Sequence, residues 1–349
     1  MILGLESLRG LAALFIAFYH YPSESILYYK LGYQAVYLFF SLSGFVITLN
    51  YFNKINNLKS LFLFQKKRLF RLYPVHLFVL ILILLIQCLK FIAIELNIPA
   101  GTEAFGNWYT LRDFILHIFL LQAVFDYGYL MSWNSAAWSI STELYTYLIF
   151  GILVLISFRK SYIYITLSII YLIFFQEIFQ YINSIFDFRV FHDVFRDCIL
   201  YFLSGSLMFF IYKKVKFRIN DFIFYIILIP VYFGIDYFLT LPDHALFSLL
   251  VLSIALLEKK SMTYILLNNK SLVYLGTISY SFYMIHQVVL YCYIQVLKIF
   301  NLGVSFSNEV SHGTGSIFYD TMITISYTII SILIAIFIHR FIESKYRIK

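Results

Sequence analysis

Long apolar runs recur from one end of this 349-residue chain to the other, and no polar block between them is long enough to form a second domain. Of its residues, 62% are apolar and only 13% are charged. A soluble domain has about 45–50% apolar and about 25% charged residues, so this chain lacks the polar surface that water requires. The pattern predicts an all-α, polytopic membrane helix bundle in which residues 1–349 form a single domain with no appended soluble domain.

The runs have the length of helices rather than of barrel strands. A helix crosses the hydrocarbon core in about 20 residues, whereas a barrel strand shows roughly ten alternating residues. The stretch 114–125 has only 12 residues and fits an interfacial or re-entrant segment better than a span. About ten transmembrane helices are therefore predicted, at 5–22, 33–52, 75–96, 136–157, 161–182, 197–212, 221–239, 244–257, 272–299 and 317–341.

The basic residues predict the orientation of these spans. With a cytoplasmic N-terminus and 114–125 not crossing, the inner segments hold 20 of the 26 lysines and arginines. If 114–125 crossed, the segment from Lys213 to Arg218 would lie outside, against the positive-inside rule. Both termini are therefore expected in the cytoplasm. The net charge of +8 is explained by basic residues on the inner side of the membrane rather than by a nucleic-acid-binding surface.

Other common chemistries have little support in the sequence. There is no Walker-type or GxGxxG loop, which argues against nucleotide hydrolysis and Rossmann chemistry. The cysteines show no CxxC pairing, so neither a disulfide framework nor a metal site is expected at Cys88, Cys198 and Cys292.

Ionisable side chains inside the apolar runs are functional candidates, because each one is costly in a bilayer. Arg9 and His20 are 11 residues apart, so they share one helix face and lie about 16 Å apart along the axis. Arg9 could instead be an anchor that reaches lipid phosphate, and His20 a residue of the outer headgroup region.

Two later runs carry similar polar faces. Glu143 has Ser139 one turn before it, and His286 has Ser279 two turns before it. Each could simply hydrogen-bond a neighbouring helix. Counting the rise from the cytoplasmic boundary, however, places His20, Glu143 and His286 in one layer at roughly 20 Å. Histidine with a carboxylate partner is a usual pairing for general-base chemistry.

A basic cluster precedes the third predicted span, and Pro74 is expected to end this basic segment. Arg68 and Arg71 are three residues apart and would present two guanidinium groups to one side. Such groups bind phosphate bidentately, although the pair could also be plain positive-inside charge. The layout suits a polyphosphate-bearing donor inside and an acceptor outside.

At these residues the sequence resembles the acyltransferase 3 family, integral membrane enzymes that include O-antigen and peptidoglycan O-acetyltransferases. The matching stretches are LESLRGLAALFIAFYH (5–20), GYQAVYLFFSLSGFVI (32–47), FQKKRLFRLYP (64–74), WSISTE (138–143) and LGTISYSFYMIH (275–286). They carry the family's motifs on Arg9 and His20, on Arg68 and Arg71, on Trp138, Ser139 and Glu143, and on Ser279, Tyr280, Ser281, Tyr283 and His286.

The resemblance implies transfer of an acyl group, most often acetyl from acetyl-CoA, to a sugar hydroxyl of a cell-envelope polysaccharide or its lipid-linked precursor. It implies a multi-pass protein of the bacterial inner membrane that uses no metal. His20 would deprotonate the acceptor or transiently carry the acyl group, and both roles remain open. Glu143 would orient the His20 imidazole and stabilise its charged form. The expected sites are catalytic His20, Glu143 and His286, donor-binding Arg9, Arg68 and Arg71, and substrate-binding Trp138, Ser139, Ser279 and Tyr280.

A transporter or flippase is the alternative, since an intramembrane layer of His and Glu could relay protons. Carriers tend to show discontinuous helices in two corresponding halves, and no such internal symmetry is visible in the sequence. Transfer of label from acetyl-CoA to an isolated glycan would discriminate the two functions.

The orientation can be tested with reporter fusions. We expect fusions after Lys216 and Lys260 to report the cytoplasm, and fusions near Asn107 and Ser307 to report the outside, because this arrangement keeps most basic residues inside. A cytoplasmic signal at Asn107 would contradict the ten-span arrangement.

Overall fold

A computed structural model of the chain describes residues 2–21, 25, 32–98, 104–106, 108–125, 130–185, 192–233, 243–299, 305–307, 310–312 and 314–346. Helices dominate these residues: α1 Leu3–Tyr19, α2 Ala35–Tyr51, α3 Leu58–Glu95, α4 Leu111–Ile118, α5 Ala137–Ile156, α6 Ser161–Ile185, α7 Asp193–Lys214, α8 Asp221–Phe233, α9 Asp243–Leu256, α10 Met262–Leu267, α11 Lys270–Ile299, α12 Ile317–Ile338 and α13 Ser344–Tyr346. A 3₁₀ turn at Gly32–Gln34 precedes α2, and a π-helical turn at His339–Glu343 follows α12. Two short antiparallel strands, β1 (Ser305–Ser307) and β2 (Val310–His312), form the one sheet within the described residues.

The helical membrane architecture predicted from the sequence is confirmed. A helix lies in each of the ten predicted spans. Five segments are long and apolar enough to cross a membrane: Gly32–Tyr51, Leu58–Glu95, Ala137–Ile156, Asp193–Lys214 and Ile317–Tyr346. The count of ten spans stays a prediction. Residues 234–239 of the predicted span 221–239, and the fusion site at Asn107, lie outside the described residues.

Segments predicted to share the cytoplasmic side lie close to one another. Ile219 and Leu257, which follow α7 and α9, form an isolated parallel bridge. The Ser7 hydroxyl of α1 donates to the Leu267 carbonyl, which precedes α11, over 2.5 Å. Both contacts agree with the predicted sidedness, while the orientation in the membrane stays a prediction.

The third helix differs from the prediction. It begins at Leu58, where the Asn57 side chain and Ser60 form a capping box, and it continues through Pro74 to Glu95. Proline removes one backbone hydrogen bond, but here it does not end the helix. Arg68 and Arg71 therefore lie within a long helix instead of before a helix that begins after Pro74. The helical repeat of α3 sets the direction of each side chain.

Glycines allow two helix pairs to approach closely. A Cβ on Gly44 of α2 would lie 1.8 Å from the Phe202 carbonyl oxygen, and one on Gly205 of α7 would lie 1.9 Å from the Ser41 carbonyl oxygen. Between α1 and α11, a Cβ on Gly276 would lie 1.9 Å from a carbonyl oxygen of α1. Membrane helices commonly associate through such small residues, because lipid supplies little hydrophobic force between helices. The contacts bring α1, α2, α7 and α11 side by side.

These contacts predict a stability effect. Gly205→Ala should destabilise the detergent-solubilised protein by about 2 kcal/mol, because the added methyl group forces the backbones of α2 and α7 apart. Gly4→Ala is the matched control, since its Cβ would meet side-chain atoms and no backbone, the nearest of them on Ile254 at 3.2 Å. Thermal unfolding would measure both variants, and equal midpoints would contradict the requirement for close approach.

Candidate functional site

A cavity of about 70 Å³ lies among α1, α2, α3, α5 and α11. Its wall combines arginine, carboxylate and hydroxyl groups with aromatic rings. Six of the ten residues predicted as site residues line it: Arg9, Arg71, Ser139, Glu143, Ser279 and Tyr280. The structure thus brings these six residues, from four separate helices, to one space.

The carboxylate of Glu143 is held by a network of hydroxyl groups. Its Oε1 accepts a 2.6 Å hydrogen bond from the Ser43 Oγ of α2 and another from the Tyr147 hydroxyl, one turn later on α5. Ser43 Oγ and the Tyr147 hydroxyl are also 2.9 Å apart. Hydroxyl donors stabilise a carboxylate that is shielded from water. The two hydrogen bonds therefore hold the Glu143 carboxylate in a fixed position at the cavity wall.

Both arginines at the cavity have carboxylates in their surroundings. Arg9 forms an ion pair with Glu6 over 3.1 Å, one turn before it on α1. Arg71 lies within electrostatic reach of Glu6, Glu143 and Glu343. A buried guanidinium is tolerated only when such charges surround it, and its forked donors suit an incoming phosphate or carboxylate. The positive charge of the arginines at this end of the cavity is therefore offset by nearby carboxylates.

Arg68 has different surroundings from Arg71, although both belong to one predicted pair. Its side chain is only 8% exposed, and its guanidinium lies 5.0 Å from the centroid of the Tyr51 ring. It donates a 3.0 Å hydrogen bond to the Tyr51 hydroxyl. Arg71 lines the cavity, whereas Arg68 is not among the lining residues. Of the pair, Arg71 is the one that faces the cavity.

His20 and His286 form a second polar group. Their ring centroids are 5.1 Å apart, with one ring edge directed at the other. His20 caps the C-terminal end of α1, and its Nδ1 lies 2.7 Å from the Ile16 carbonyl oxygen. His286 is buried on α11, with Nδ1 2.6 Å from the Tyr283 carbonyl oxygen. Its Nε2 is buried and has no hydrogen-bond partner in the part of the chain that the structure describes.

The sequence predicted that Glu143 orients the His20 imidazole, but the structure places a different side chain there. Among the described residues, His20 Nε2 lies 2.7 Å from the Gln287 amide nitrogen, while the hydrogen bonds of Glu143 come from Ser43 and Tyr147. Gln287 in turn accepts from the Ser135 hydroxyl. Glu143 and the histidine pair are therefore neighbouring centres rather than one hydrogen-bonded dyad.

Tyr283 lies between the cavity and the histidine pair. It lines the cavity, and its ring centroid lies 5.7 Å from that of His286. Its hydroxyl accepts from Ser139 over 2.9 Å and donates to the Ala136 carbonyl over 3.0 Å. On α11, His286 follows Ser279 by seven residues. It therefore lies about 10 Å farther along that helix than Ser279, which is at the cavity wall.

Trp138 lies beside the cavity, and Tyr280 connects its wall to α3. Trp138 packs edge-on against Phe40, a lining residue, with ring centroids 6.1 Å apart. Tyr280 lines the cavity and donates to the Leu72 carbonyl of α3, which ties α11 to α3. Trp138 therefore supports the wall, while Tyr280 forms part of it.

Several site residues are missed by the sequence reasoning. Ser43, Tyr147 and Gln287 are uncharged and resemble ordinary helix residues, although Tyr147 stands one turn after Glu143 and Gln287 directly follows His286. Glu343 is an acidic residue at the end of the last apolar run, and it accepts from Ser281 over 2.8 Å and contacts His339 Nδ1 over 2.9 Å. Its place next to a predicted span is the signal that could have found it.

No group of three or more His, Cys, Asp or Glu residues that could hold a metal ion is present within the described residues. The groups that the cavity and the histidine pair present are arginines, carboxylates, hydroxyl groups and two imidazoles.

Comparison with known protein families identifies the family of this chain. The model of the acyltransferase 3 family, described as an acyltransferase domain, matches residues 2–340, which is nearly the whole chain. Neither the curated proteins nor the solved structures show a significant match.

Proposed function

Because the chain belongs to the acyltransferase 3 family, we propose that it is a membrane O-acyltransferase that moves acetyl from cytoplasmic acetyl-CoA to a sugar hydroxyl of a cell-envelope polysaccharide or its lipid-linked precursor. The family and the apolar helices make the chain an integral membrane acyltransferase. The donor, the acceptor and the bacterial inner membrane are the proposed part. The main support is the cavity that joins Arg9, Arg71 and Glu143, with the histidine pair next to it across Tyr283.

The arginine end of the cavity suits the donor. Coenzyme A carries phosphates, and guanidinium groups bind phosphate through two parallel hydrogen bonds. Arg71 and Arg9 face the cavity, with Arg68 behind them against Tyr51. A cavity of about 70 Å³ is too small for a complete cofactor but has room for a small acyl group. The donor would therefore bind with its phosphates at the arginines and its acyl end toward Glu143.

The histidine end suits the acceptor chemistry. His20 would take the proton of the sugar hydroxyl while the hydroxyl oxygen attacks the thioester carbonyl carbon. A C–O bond forms, the C–S bond breaks, and the proton passes from His20 to the departing sulfur. In the second route a nitrogen of His20 first attacks the thioester carbon, so that a C–N bond forms, the C–S bond breaks and the coenzyme A thiolate leaves. The sugar hydroxyl then attacks the acyl carbon, the C–N bond breaks, and the hydroxyl proton passes through the freed imidazole to the thiolate. His286 and Glu143 would stabilise the charges that develop in either route.

The overall reaction can be tested directly. Purified protein is mixed with acetyl-CoA labelled in the acetyl group and with isolated envelope glycan, and glycan-bound label is counted. We expect label in the glycan as an alkali-labile ester. Label that remains in acetyl-CoA with every envelope fraction would overturn the proposal.

The two arginines should contribute differently to donor binding. Arg71→Lys keeps the charge but loses the planar fork, so we expect acetyl-CoA affinity to fall about tenfold. Arg68→Lys should have a smaller effect on affinity and a larger one on thermal stability, because Arg68 packs against Tyr51 instead of lining the cavity. Titration of both variants with acetyl-CoA measures this, and full donor affinity in Arg71→Lys would contradict a donor role.

His20 should be essential for transfer but not for donor binding. His20→Ala is expected to lower transfer at least about a hundredfold while acetyl-CoA affinity changes little, because general-base catalysis contributes about 10²–10⁴. Glu143→Gln should lower turnover more than donor affinity, since it keeps the shape and removes the charge.

The matched control for the histidine variant is His244→Ala. His244 packs against Tyr201 and does not line the cavity. Normal transfer by His20→Ala would exclude the mechanism. Joint loss of folding and donor binding would identify His20 as a structural residue.

A further inference from the structure

We infer that Phe40 of α2 and Ile140 of α5 form a wall that restricts the donor acyl group to about the size of acetyl. These two side chains are called the acyl wall below. The inference rests on the proposed function, because it concerns the group that the donor carries. Both side chains line the cavity and are buried, with 2% and 3% of their surface exposed. Neither carries a polar group, so what they contribute to the cavity is its shape.

The hydrogen bond between Ser43 and Glu143 marks the polar part of the cavity next to this wall. It joins α2 to α5 over 2.6 Å. Phe40 precedes Ser43 by three residues, so it lies about one turn from Ser43 on the same face of α2. Ile140 has the same spacing from Glu143 on α5. Each polar partner of this hydrogen bond therefore has an apolar neighbour one turn away that also lines the cavity.

The two apolar neighbours lie on the same side of that hydrogen bond. Phe40 packs edge-on against Trp138 of α5, with ring centroids 6.1 Å apart. Three residues later on α2, the Ser43 hydroxyl lies 2.9 Å from the hydroxyl of Tyr147, which follows Trp138 by nine residues. Residue numbers thus increase in the same direction along α2 and α5 where the two helices meet. Phe40 and Ile140 both come before the hydrogen-bonded pair, so they lie together at one end of the polar space.

Aromatic rings support Phe40 from behind. Its ring contacts Tyr37 as well as Trp138, with centroid distances of 6.2 and 6.1 Å. Tyr37 in turn stacks on Tyr201 of α7 at 4.8 Å. Close-packed interiors yield little to an added methylene group, because the neighbouring side chains would have to leave their rotamers. The acyl wall is therefore expected to exclude a longer chain rather than to move aside for it.

The volume of the cavity agrees with an acetyl group. An apolar cavity of about 150 Å³ can hold benzene, with its six carbon atoms, so a cavity of about 70 Å³ holds about three non-hydrogen atoms. An acetyl group has three such atoms: the methyl carbon, the carbonyl carbon and the oxygen. A butyryl group has two more carbon atoms and would need the space that Phe40 and Ile140 occupy.

The acyl wall does not separate the acyl group from the histidine pair. Phe39, the residue before Phe40 on α2, points about 100° away around the helix axis. Its ring packs on Tyr283 of α11, with centroids 6.2 Å apart. Tyr283 connects the cavity to His286. The acceptor would therefore approach along α11, while the acyl wall closes the side of α2 and α5.

The test widens the cavity and compares donors of different chain length. Purified protein is titrated with acetyl-CoA and with butyryl-CoA, and kcat/KM for transfer to glycan is measured with both donors. The wild type should favour acetyl-CoA at least about tenfold, because one extra methylene group in a fitted pocket is worth about 10–200-fold. In Phe40→Ala this preference should fall about tenfold, since removal of the ring leaves room for the longer chain.

Phe45→Ala is the matched control. Phe45 is a fully buried phenylalanine of the same helix that packs on Phe209 and Tyr212 of α7, and it is not among the residues that line the cavity. This variant should keep the wild-type preference even if it is less stable. An unchanged preference in Phe40→Ala, or an equal fall in Phe45→Ala, would overturn the inference.

Ile140→Ala is a second variant that removes fewer atoms, and it tests the wall if Phe40→Ala does not fold. The preference for acetyl-CoA should fall in the same direction, and an unchanged preference would overturn the inference. A wild type that favours neither donor would also overturn it. If the wild type transfers no acetyl group to any glycan, but the ratio of affinities still falls in Phe40→Ala and not in Phe45→Ala, the proposed transfer fails while the acyl wall stands.

Discussion

Compensation of charge away from water is the constraint on which this structure depends. A guanidinium group among apolar helices is tolerable only when carboxylates and hydroxyl groups surround it. Here Arg9 and Arg71 are matched by Glu6, Glu143 and Glu343, which come from α1, α5 and the π-helical turn after α12. Arg9 and Glu6 pair within α1, but Arg71 of α3 comes near Glu143 and Glu343 only when distant segments of the chain pack together.

Close backbone contacts make that arrangement possible. Gly276 lies against the backbone of α1, and Gly44 and Gly205 lie against the partner backbones of α2 and α7. Without a Cβ at these positions the backbone of α2 meets that of α7, and the backbone of α1 meets that of α11. Each of these close helix pairs also carries a polar contact to a further helix, since Ser43 of α2 reaches Glu143 of α5 and Tyr280 of α11 reaches α3.

The polar interior has two centres that Tyr283 connects. One is the cavity with its arginines and Glu143, and the other is the pair His20 and His286. Tyr283 contacts both, through its place in the cavity wall and its ring packing on His286. The proposed donor and acceptor would approach from opposite sides of the membrane. The donor would bind at the arginines, and the acceptor would lose its proton at the histidine pair.

The sequence by itself determined the membrane class, the helices at the ten apolar runs, the family and six residues of the cavity wall. These follow from local properties, since hydropathy marks a helix and an ionisable residue inside an apolar run is rare enough to indicate function. It did not show that α3 continues through Pro74, because a proline weakens a helix without always ending it. Only the tertiary structure decided that Arg71 faces the cavity while Arg68 packs on Tyr51, and that Gln287 rather than Glu143 bonds His20. Those choices depend on how far each helix is rotated and shifted against its neighbours, and helix periodicity alone contains no information about that rotation.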